Sequence, residues 1–431
     1  MFERGLWSAI FHPRMQWRVG GCNGGVEVLR RRASVLGLCL VTAGCLFTLL
    51  LSQRMVASSL HSSSFLAIGR TIQSWSSSEM DGPSNITADI DMTIEEQRFH
   101  ISAEMADYEY PNGKYNVSAK WLSDLVPELG GTPLRSIIIT TWRSGSTFLG
   151  DVLNAHPANF YHYEPLLDYD IVQVRGAPLA KQALHTLRQL LNCTYADLDH
   201  YLEYGQGHNW LFLHNSRLWE RCLMHPHICW LPEFLSPFCR LFPFQSMKVV
   251  RLRLSLAEEL LADPNLNVRV MLLVRDPRGT MQSRRHRDWC PGRPDCWDPG
   301  RLCADLLADY SAAIRLARLY PNRFRAVRYE DLSLNPYSGV KELLGFFGLS
   351  FHSQVKAFLD THTHTNAGGV SSTFRNSKAT PYHWRADLSH QEVRTIQKVC
   401  RPAMKAWGYV LAQNTTHQRH FNPIAKSFKL V

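Results

Sequence analysis

Two segments of the chain share a pattern in which a short apolar run is followed by a polar loop and then by an amphipathic stretch. The first run, Ser136 to Thr140, is built on consecutive isoleucines, and the second, Val268 to Val274, is apolar except for one arginine. Runs of this kind are typical of buried parallel strands. The stretches Thr147 to Ala155 and Gly279 to His286 then favour helices. The pattern predicts two strand–loop–helix units.

The same alternation continues along the chain. Helical periodicity is present in Leu179 to Leu191, in Leu302 to Leu319 and in Gln391 to Trp407, and a further strand is predicted at Phe324 to Arg328. Strands that alternate with helices predict an α/β fold with a P-loop-like parallel sheet flanked by helices. Ligands of such sheets bind at the carboxyl ends of the strands.

The N-terminal region predicts a membrane anchor. Residues Ala33 to Leu51 contain no charged side chain over nineteen positions, and three arginines precede them. By the positive-inside rule this predicts a cytoplasmic tail (1–32), a transmembrane helix (33–52) and a luminal remainder. A serine-rich segment predicts a flexible stem (53–133) before a catalytic domain (134–431). A cleaved signal peptide is the alternative to the anchor.

The remainder of the chain has features of a secreted domain. Glycosylation sequons occur only after the apolar span, at Asn85, Asn116, Asn192 and Asn414. Eight cysteines follow the span, an even number that permits disulfides in an oxidising compartment. The close spacing of Cys290, Cys296 and Cys303 suggests one local bridge. A zinc cluster is disfavoured because no CxxC pair occurs.

The first loop, with the sequence TTWRSGST, has the composition of an anion-binding site. Gly145 permits a tight turn, and Ser144, Ser146 and Thr147 place hydroxyls beside free backbone N–H groups at the predicted start of a helix. Helix N-termini favour negative charge. Arg143 adds a permanent cation that can form paired hydrogen bonds with phosphate or sulfate oxygens.

The second loop places Arg275 eight positions before Ser283. Together the two loops resemble those of the nucleotide-dependent sulfotransferases, since TTWRSGST is similar to their 5′-phosphosulfate-binding loop and VRDPRGTMQSR to their 3′-phosphate-binding segment. Further similarity occurs in RYEDL, FFGL and STFRNSKATPYHWR. The resemblance is strongest to the Golgi carbohydrate 6-O-sulfotransferases that act on GlcNAc, Gal or GalNAc, and it spans roughly Leu134 to Leu411.

This resemblance implies a sulfotransferase-type fold, 3′-phosphoadenylyl sulfate as the sulfuryl donor and no metal. It also implies a Golgi membrane protein of type II topology with its catalytic domain in the lumen. The acceptor would be a glycan of keratan or chondroitin type on a glycoprotein or proteoglycan. The residues that the resemblance assigns to donor binding are Trp142, Arg143, Ser144, Gly145, Ser146, Thr147, Arg275, Ser283 and Arg375.

Two residues are assigned to the chemical step. Arg143 is expected to stabilise the charge that develops on the leaving oxygen. Glu164, in the segment YHYEPL, resembles the acidic general base of the family, and such a base typically contributes about 10²–10⁴-fold. His162 lies two residues away and is the alternative base.

Other functions remain as alternatives. The net charge of +10 fits an anionic nucleotide or an acidic glycan, whereas the predicted compartment excludes nucleic acid. A P-loop kinase is disfavoured because no GxxxxGK[ST] motif occurs. A Golgi glycosyltransferase would use a DxD pattern such as Asp168-Tyr169-Asp170 or Asp89-Ile90-Asp91. A glycan-binding relative without activity is the third possibility. The sequence leaves the oligomeric state open.

Overall fold

The computed structural model describes residues 83–110, 113–369 and 372–425. The predicted cytoplasmic tail (1–32), the predicted transmembrane helix (33–52) and residues 53–82 of the predicted stem lie outside these ranges. Within the described residues, the helices are all too short or too polar to span a bilayer.

A five-stranded parallel sheet forms the centre of the molecule, in the order β2-β3-β1-β4-β5. The strands are β1 (Leu134–Ile139), β2 (Asn159–Tyr163), β3 (Phe244–Val249), β4 (Val268–Val274) and β5 (Phe324–Arg328). The predicted parallel sheet flanked by helices is confirmed. The sequence did not predict β2 and β3, because both contain several polar residues at buried positions.

Helices precede, connect and follow the strands. Those described are α1 (Pro83–Glu104), α2 (Ser146–Asn154), α3 (Leu179–Leu191), α4 (Asp199–Gly207), α5 (Trp210–Leu213), α6 (Ser216–Met224), α7 (Pro232–Arg240), α8 (Glu258–Ala262), α9 (Pro277–Arg284), α10 (Pro294–Trp297), α11 (Pro299–Leu319), α12 (Tyr329–Leu334), α13 (Pro336–Phe347), α14 (Ser353–His362), α15 (Trp384–Asp387), α16 (His390–Ala406) and α17 (Thr415–His420).

The sheet is covered on both faces. Every residue of β1, β3 and β4 is buried, which is the pattern expected of central parallel strands. Helix α2 packs on β2 and β3, α13 packs on β1, and α11 packs on β5 and α16.

The eight cysteines of the described residues form four disulfides, Cys193–Cys239, Cys222–Cys229, Cys290–Cys296 and Cys303–Cys400. The local bridge predicted among Cys290, Cys296 and Cys303 is therefore Cys290–Cys296, and Cys303 pairs with Cys400.

The described part of the segment predicted as a flexible stem, residues 53–133, is folded. Residues 83–104 form α1, which belongs to the same compact unit as the sheet. Ile94 and Ile101 are buried on one side of this helix, and Glu104 and Glu96 form ion pairs with arginines of α6 at 3.0 and 2.9 Å. The apolar stripe is narrow and lies among acidic and polar residues, so the composition resembled that of a linker.

Candidate functional site

The carboxyl ends of all five strands meet at one edge of the sheet, and each contributes a residue to the same cavity. Arg143 follows β1, Glu164 immediately follows β2, and Lys248 lies near the end of β3. Arg275 immediately follows β4, and Tyr329 immediately follows β5. The sheet therefore brings together residues that are far apart in the chain, at the edge where α/β proteins bind ligands.

The cavity is strongly cationic. It has a volume of about 360 Å³, within the usual range for small-molecule sites. Among the described residues that line it, Glu164 is the only carboxylate, and the permanent cations are Arg143, Lys248, Arg275, Arg287 and Arg375. Such a lining selects a ligand that carries several negative charges.

The loop after β1 has the geometry of an anion cradle. Gly145 has φ +91°, and a Cβ at this position would overlap the ring of Tyr329, so both the turn and the close packing require glycine. Helix α2 begins directly afterwards at Ser146, and its first amides face the cavity edge with Thr147. Ser144 differs from its predicted role, because its buried Oγ lies 2.7 Å from Thr140 Oγ1 and its side chain does not line the cavity.

The two segments predicted to bind the two ends of the donor are in direct contact. Arg275 donates a hydrogen bond from Nη1 to the backbone oxygen of Arg143 at 2.8 Å. Arg143 in turn donates from Nε to Ser283 Oγ at 3.0 Å. Arg275 also lies over the ring of Tyr329 at 4.6 Å, and its Nε is buried with no hydrogen-bond partner within the described residues. The arrangement leaves a buried cationic donor that an anion can satisfy.

Trp142 forms part of the wall of the cavity. Its indole packs with the Cys290–Cys296 disulfide and Val250 in a small separate cluster, and the guanidinium of Arg251 lies 5.6 Å from its ring. Trp142 therefore both packs against the disulfide and lines the cavity.

Glu164 is held between two cations. Its carboxylate accepts hydrogen bonds from Lys248 Nζ at 2.8 Å and from Arg251 Nη1 at 2.6 Å. Burial alone would raise the pKa of Glu164, but the two ion pairs outweigh burial and lower the pKa to about 2. Its backbone is in the left-handed region, with φ +42°, which directs the side chain out of the sheet edge.

Lys248 is a site residue that the sequence did not reveal. Its side chain is 1% exposed, and Nζ lies 3.4 Å from Thr147 Oγ1 as well as in contact with Glu164. Burial lowers the pKa of Lys248, and its interactions with Glu164 and Asp151 oppose this effect only in part. The amine thus lies between the anion-binding loop and the candidate base.

His162, the alternative base, does not reach the cavity. Its ring is buried inside the sheet next to Phe160, with 5.0 Å between ring centroids, and burial lowers the pKa of His162 to about 3. Its Nε2 has no hydrogen-bond partner within the described residues. Tyr163 and Glu164 line the cavity instead.

Arg375, which the resemblance assigns to donor binding, lies on a loop that lines the cavity. Its guanidinium donates to the backbone oxygens of Phe374 and Gly369, at 2.9 and 2.6 Å. Arg287 and Trp289 also line this cavity, and the sequence did not single them out. Both lie within five residues of the end of α9, so the available signal was their proximity in sequence to the Arg275–Ser283 segment.

Two of the predicted glycosylation acceptors can be examined. Asn192 and Asn414 are exposed, and each uses only Oδ1 in the hydrogen bonds of the structure, which leaves Nδ2 for glycan attachment. The side chains of Asn85 and Asn116 lie outside the described part.

The acidic pair of the DxD pattern at 168–170 does not line the cavity. Asp168 instead pairs with His200, and Asp170 pairs with Arg293.

A parallel sheet whose carboxyl edge joins a cationic loop and a helix N-terminus to a second arginine–serine segment defines an α/β protein that binds an anionic nucleotide. Comparison with known proteins gives the family. Residues 133–408 match the family described as "Sulfotransferase domain". The chain belongs to this family, which confirms the resemblance of the two loops.

Curated relatives of the chain include proteins named as carbohydrate sulfotransferases. Carbohydrate sulfotransferase 5 of Mus musculus is 28% identical over 336 residues, which are 67% of this chain and 84% of that protein. Carbohydrate sulfotransferase 6 of Homo sapiens is 28% identical over 341 residues, 68% of this chain and 85% of that protein. A solved sulfotransferase domain from the Synechococcus PCC 7002 olefin synthase is 16% identical, with a TM-score of 0.34, and covers 63% of this chain and 94% of that one.

Proposed function

We propose that the protein transfers a sulfuryl group from 3′-phosphoadenylyl sulfate to the 6-hydroxyl of a GlcNAc or Gal residue, with GalNAc as a further acceptor, in glycans of keratan or chondroitin type. The observation that carries the proposal is the contact of Arg143 with both Arg275 and Ser283, which unites the two anion-binding segments in one cavity. The names of the curated relatives support a carbohydrate acceptor.

The residues present fit this donor. Its two anionic ends require two separate cationic sites, and the cavity has the loop 143–147 at one and Arg275 with Ser283 at the other. The buried Nε of Arg275 supplies an unused donor for a phosphate oxygen. The bound donor supplies the sulfuryl group, and we expect the reaction to proceed without added metal.

The roles of the side chains follow from their positions. Arg143 would stabilise negative charge on the leaving phosphate, because its permanent cation lies at the anion-binding loop. Glu164 would accept the proton of the sugar hydroxyl, since it is the one carboxylate among the described lining residues and its low pKa keeps it ionised. Lys248, between Thr147 and Glu164, would bind the oxygens of the transferring group.

We also propose that the protein is a type II membrane protein of the Golgi with a luminal catalytic domain. The apolar segment 33–52 and the arginines before it support the topology. Four disulfides and the exposed sequons at Asn192 and Asn414 support an oxidising, secretory compartment.

The test measures incorporation of labelled sulfate from the donor into a panel of desulfated glycans by the full chain, without added metal. Arg143→Ala and Glu164→Gln are compared with Glu258→Gln, a control that alters a surface carboxylate paired with Arg315. We expect transfer by the wild type and the control and loss of at least about 10²-fold in the two site variants. Folded wild-type protein that does not bind the donor would refute the proposal, and the position of the label on the sugar tests the 6-hydroxyl assignment.

A further inference from the structure

The loop that follows α9, residues 285–296, is rigidly attached at both ends. Before it, Arg284 is fully buried and donates from Nη2 to Thr141 Oγ1 at 2.8 Å and from Nη1 to the backbone oxygen of Cys296 at 2.6 Å. At its far end the Cys290–Cys296 disulfide closes the loop and packs on Trp142. The backbone of the loop is therefore tied to the anion-binding loop at both ends before any ligand binds.

Three side chains of this loop line the cavity, His286, Arg287 and Trp289, and the donor-binding assignments include none of them. Trp289 is 40% exposed and lines the cavity, so its ring is accessible to a ligand. Arg287 has Nε and Nη2 buried with no hydrogen-bond partner within the described residues. A buried cationic donor without an acceptor is destabilising. An anionic ligand would remove that penalty.

The anionic group that accepts hydrogen bonds from Arg287 is best assigned to the acceptor glycan. The two anionic ends of the donor already have the loop 143–147 and the pair Arg275 and Ser283. Arg287 interacts electrostatically with its neighbour Asp288, with Tyr163, which precedes the candidate base Glu164, and with Arg375. It also interacts with Arg143 of the anion-binding loop. The acceptor sugar must approach Glu164 for its hydroxyl to be deprotonated, so a guanidinium that interacts with the adjacent Tyr163 is within reach of substituents on that glycan.

Trp289, on the same loop, indicates which other part of the ligand is bound. A pyranose ring presents an apolar C–H face that packs against an aromatic ring, and Trp289 offers such a surface at the rim. The planar guanidinium of an arginine pairs with carboxylate and sulfate oxygens through two parallel hydrogen bonds. Given the proposed function, on which this inference rests, we propose that Arg287 and Trp289 form an acceptor subsite that binds an anionic substituent, a carboxylate or a sulfate ester, on the glycan.

The test compares acceptors that differ only in that charge. One pair is chondroitin and carboxyl-reduced chondroitin, and the other is a keratan-type oligosaccharide with and without a sulfate ester on the neighbouring sugar. We measure kcat/KM for the wild type, Arg287→Gln, Arg287→Lys and Trp289→Ala. The control is Arg293→Gln, an exposed arginine of the same loop that pairs with Asp170 and does not line the cavity.

We expect the wild type and the control to prefer the charged member of at least one pair, and that pair identifies whether the substituent is a carboxylate or a sulfate. Arg287→Gln should lower the charged-to-neutral ratio by about tenfold or more, as for loss of a hydrogen bond to a charged group. Arg287→Lys should retain part of the preference. Trp289→Ala should weaken both members of a pair equally, with the donor KM unchanged in each variant.

Three results would overturn the inference: no preference for charge in the wild type, an equal loss on both acceptors in Arg287→Gln, or a rise in the donor KM of that variant. Calorimetric binding of the same oligosaccharides separates this inference from the proposed function. If the wild type transfers no sulfate but binds the charged glycan in an Arg287-dependent manner, the proposed reaction is wrong and the subsite stands. If transfer occurs and Arg287→Gln binds both glycans like the wild type, the subsite is wrong and the reaction stands.

Discussion

The pair of cations around Glu164 allows its protonation to be changed without altering the cavity surface. Arg251 donates to Glu164 Oε2 at 2.6 Å, its side chain is 3% exposed, and it does not line the cavity. The substitution Arg251→Gln removes this charge but leaves Lys248 in contact with the other carboxylate oxygen. We expect the pKa of Glu164 to rise, because burial continues to disfavour the ionised carboxylate and only one cation opposes it.

The magnitude follows from the geometry. Charges about 4 Å apart in an effective dielectric constant of about 20 interact by about 4 kcal/mol. Each pH unit corresponds to about 1.4 kcal/mol, so full removal of the charge would shift the pKa by on the order of 3 units. The amide of the new glutamine can still donate one hydrogen bond. We therefore expect the pKa of Glu164 to move from about 2 to roughly 4–5.

The assay is the pH dependence of kcat at saturating donor and acceptor, from about pH 4 to pH 8. A general base must be ionised, so the wild type should lose no activity through Glu164 over this range, whereas Arg251→Gln should lose activity below about pH 5. Arg251→Lys keeps the charge and should behave like the wild type. Each sample is returned to neutral pH and assayed again, which separates reversible protonation from unfolding.

The stability of the variant has its own pH dependence. A carboxyl whose folded pKa is depressed contributes stability that is present above its usual value near 4.5 and is lost as the pH falls towards 2. Arg251→Gln should therefore be less stable than the wild type at neutral pH, with a smaller difference in acid. A folded Arg251→Gln variant whose kcat profile matches that of the wild type would refute the reasoning, since the protonation of Glu164 would then not limit the reaction.

Three further outcomes are expected. Arg275→Gln should raise the donor KM by about tenfold or more, because a buried cationic donor is lost, while the acceptor KM measured at saturating donor stays constant. Gly145→Ala should abolish donor binding, measured by calorimetry, because the added methyl group overlaps the ring of Tyr329 at a φ of +91°. His162→Phe should retain activity in the sulfate-transfer assay, in contrast to Glu164→Gln, because the histidine ring is buried away from the cavity.

The sequence predicts the strands that consist of continuous, mainly apolar runs. β4 and β5 have the predicted bounds, and β1 begins two residues before the predicted start. The sequence also predicts the anion-binding loops at the carboxyl ends of these strands, because glycine, serine and arginine between an apolar run and a helix start favour the binding of an anion. The contact between Arg143 and Ser283 could not be predicted, since it depends on β1 and β4 being neighbours in the sheet, which no local pattern specifies.

The site residues that the sequence pattern did not reveal lie on strands where polar side chains interrupt the apolar run. β3 contains Gln245, Ser246 and Lys248 at buried positions, so it lacks the apolar run that marks a central strand. Lys248 is tolerated there because Glu164 and Arg251 complete an ion-paired group at the sheet edge. That group requires β2 and β3 to be adjacent, and it makes their sequences polar. A strand that carries charged residues of a site therefore loses the apolar signal by which it could be recognised, and only its pairing partners reveal it.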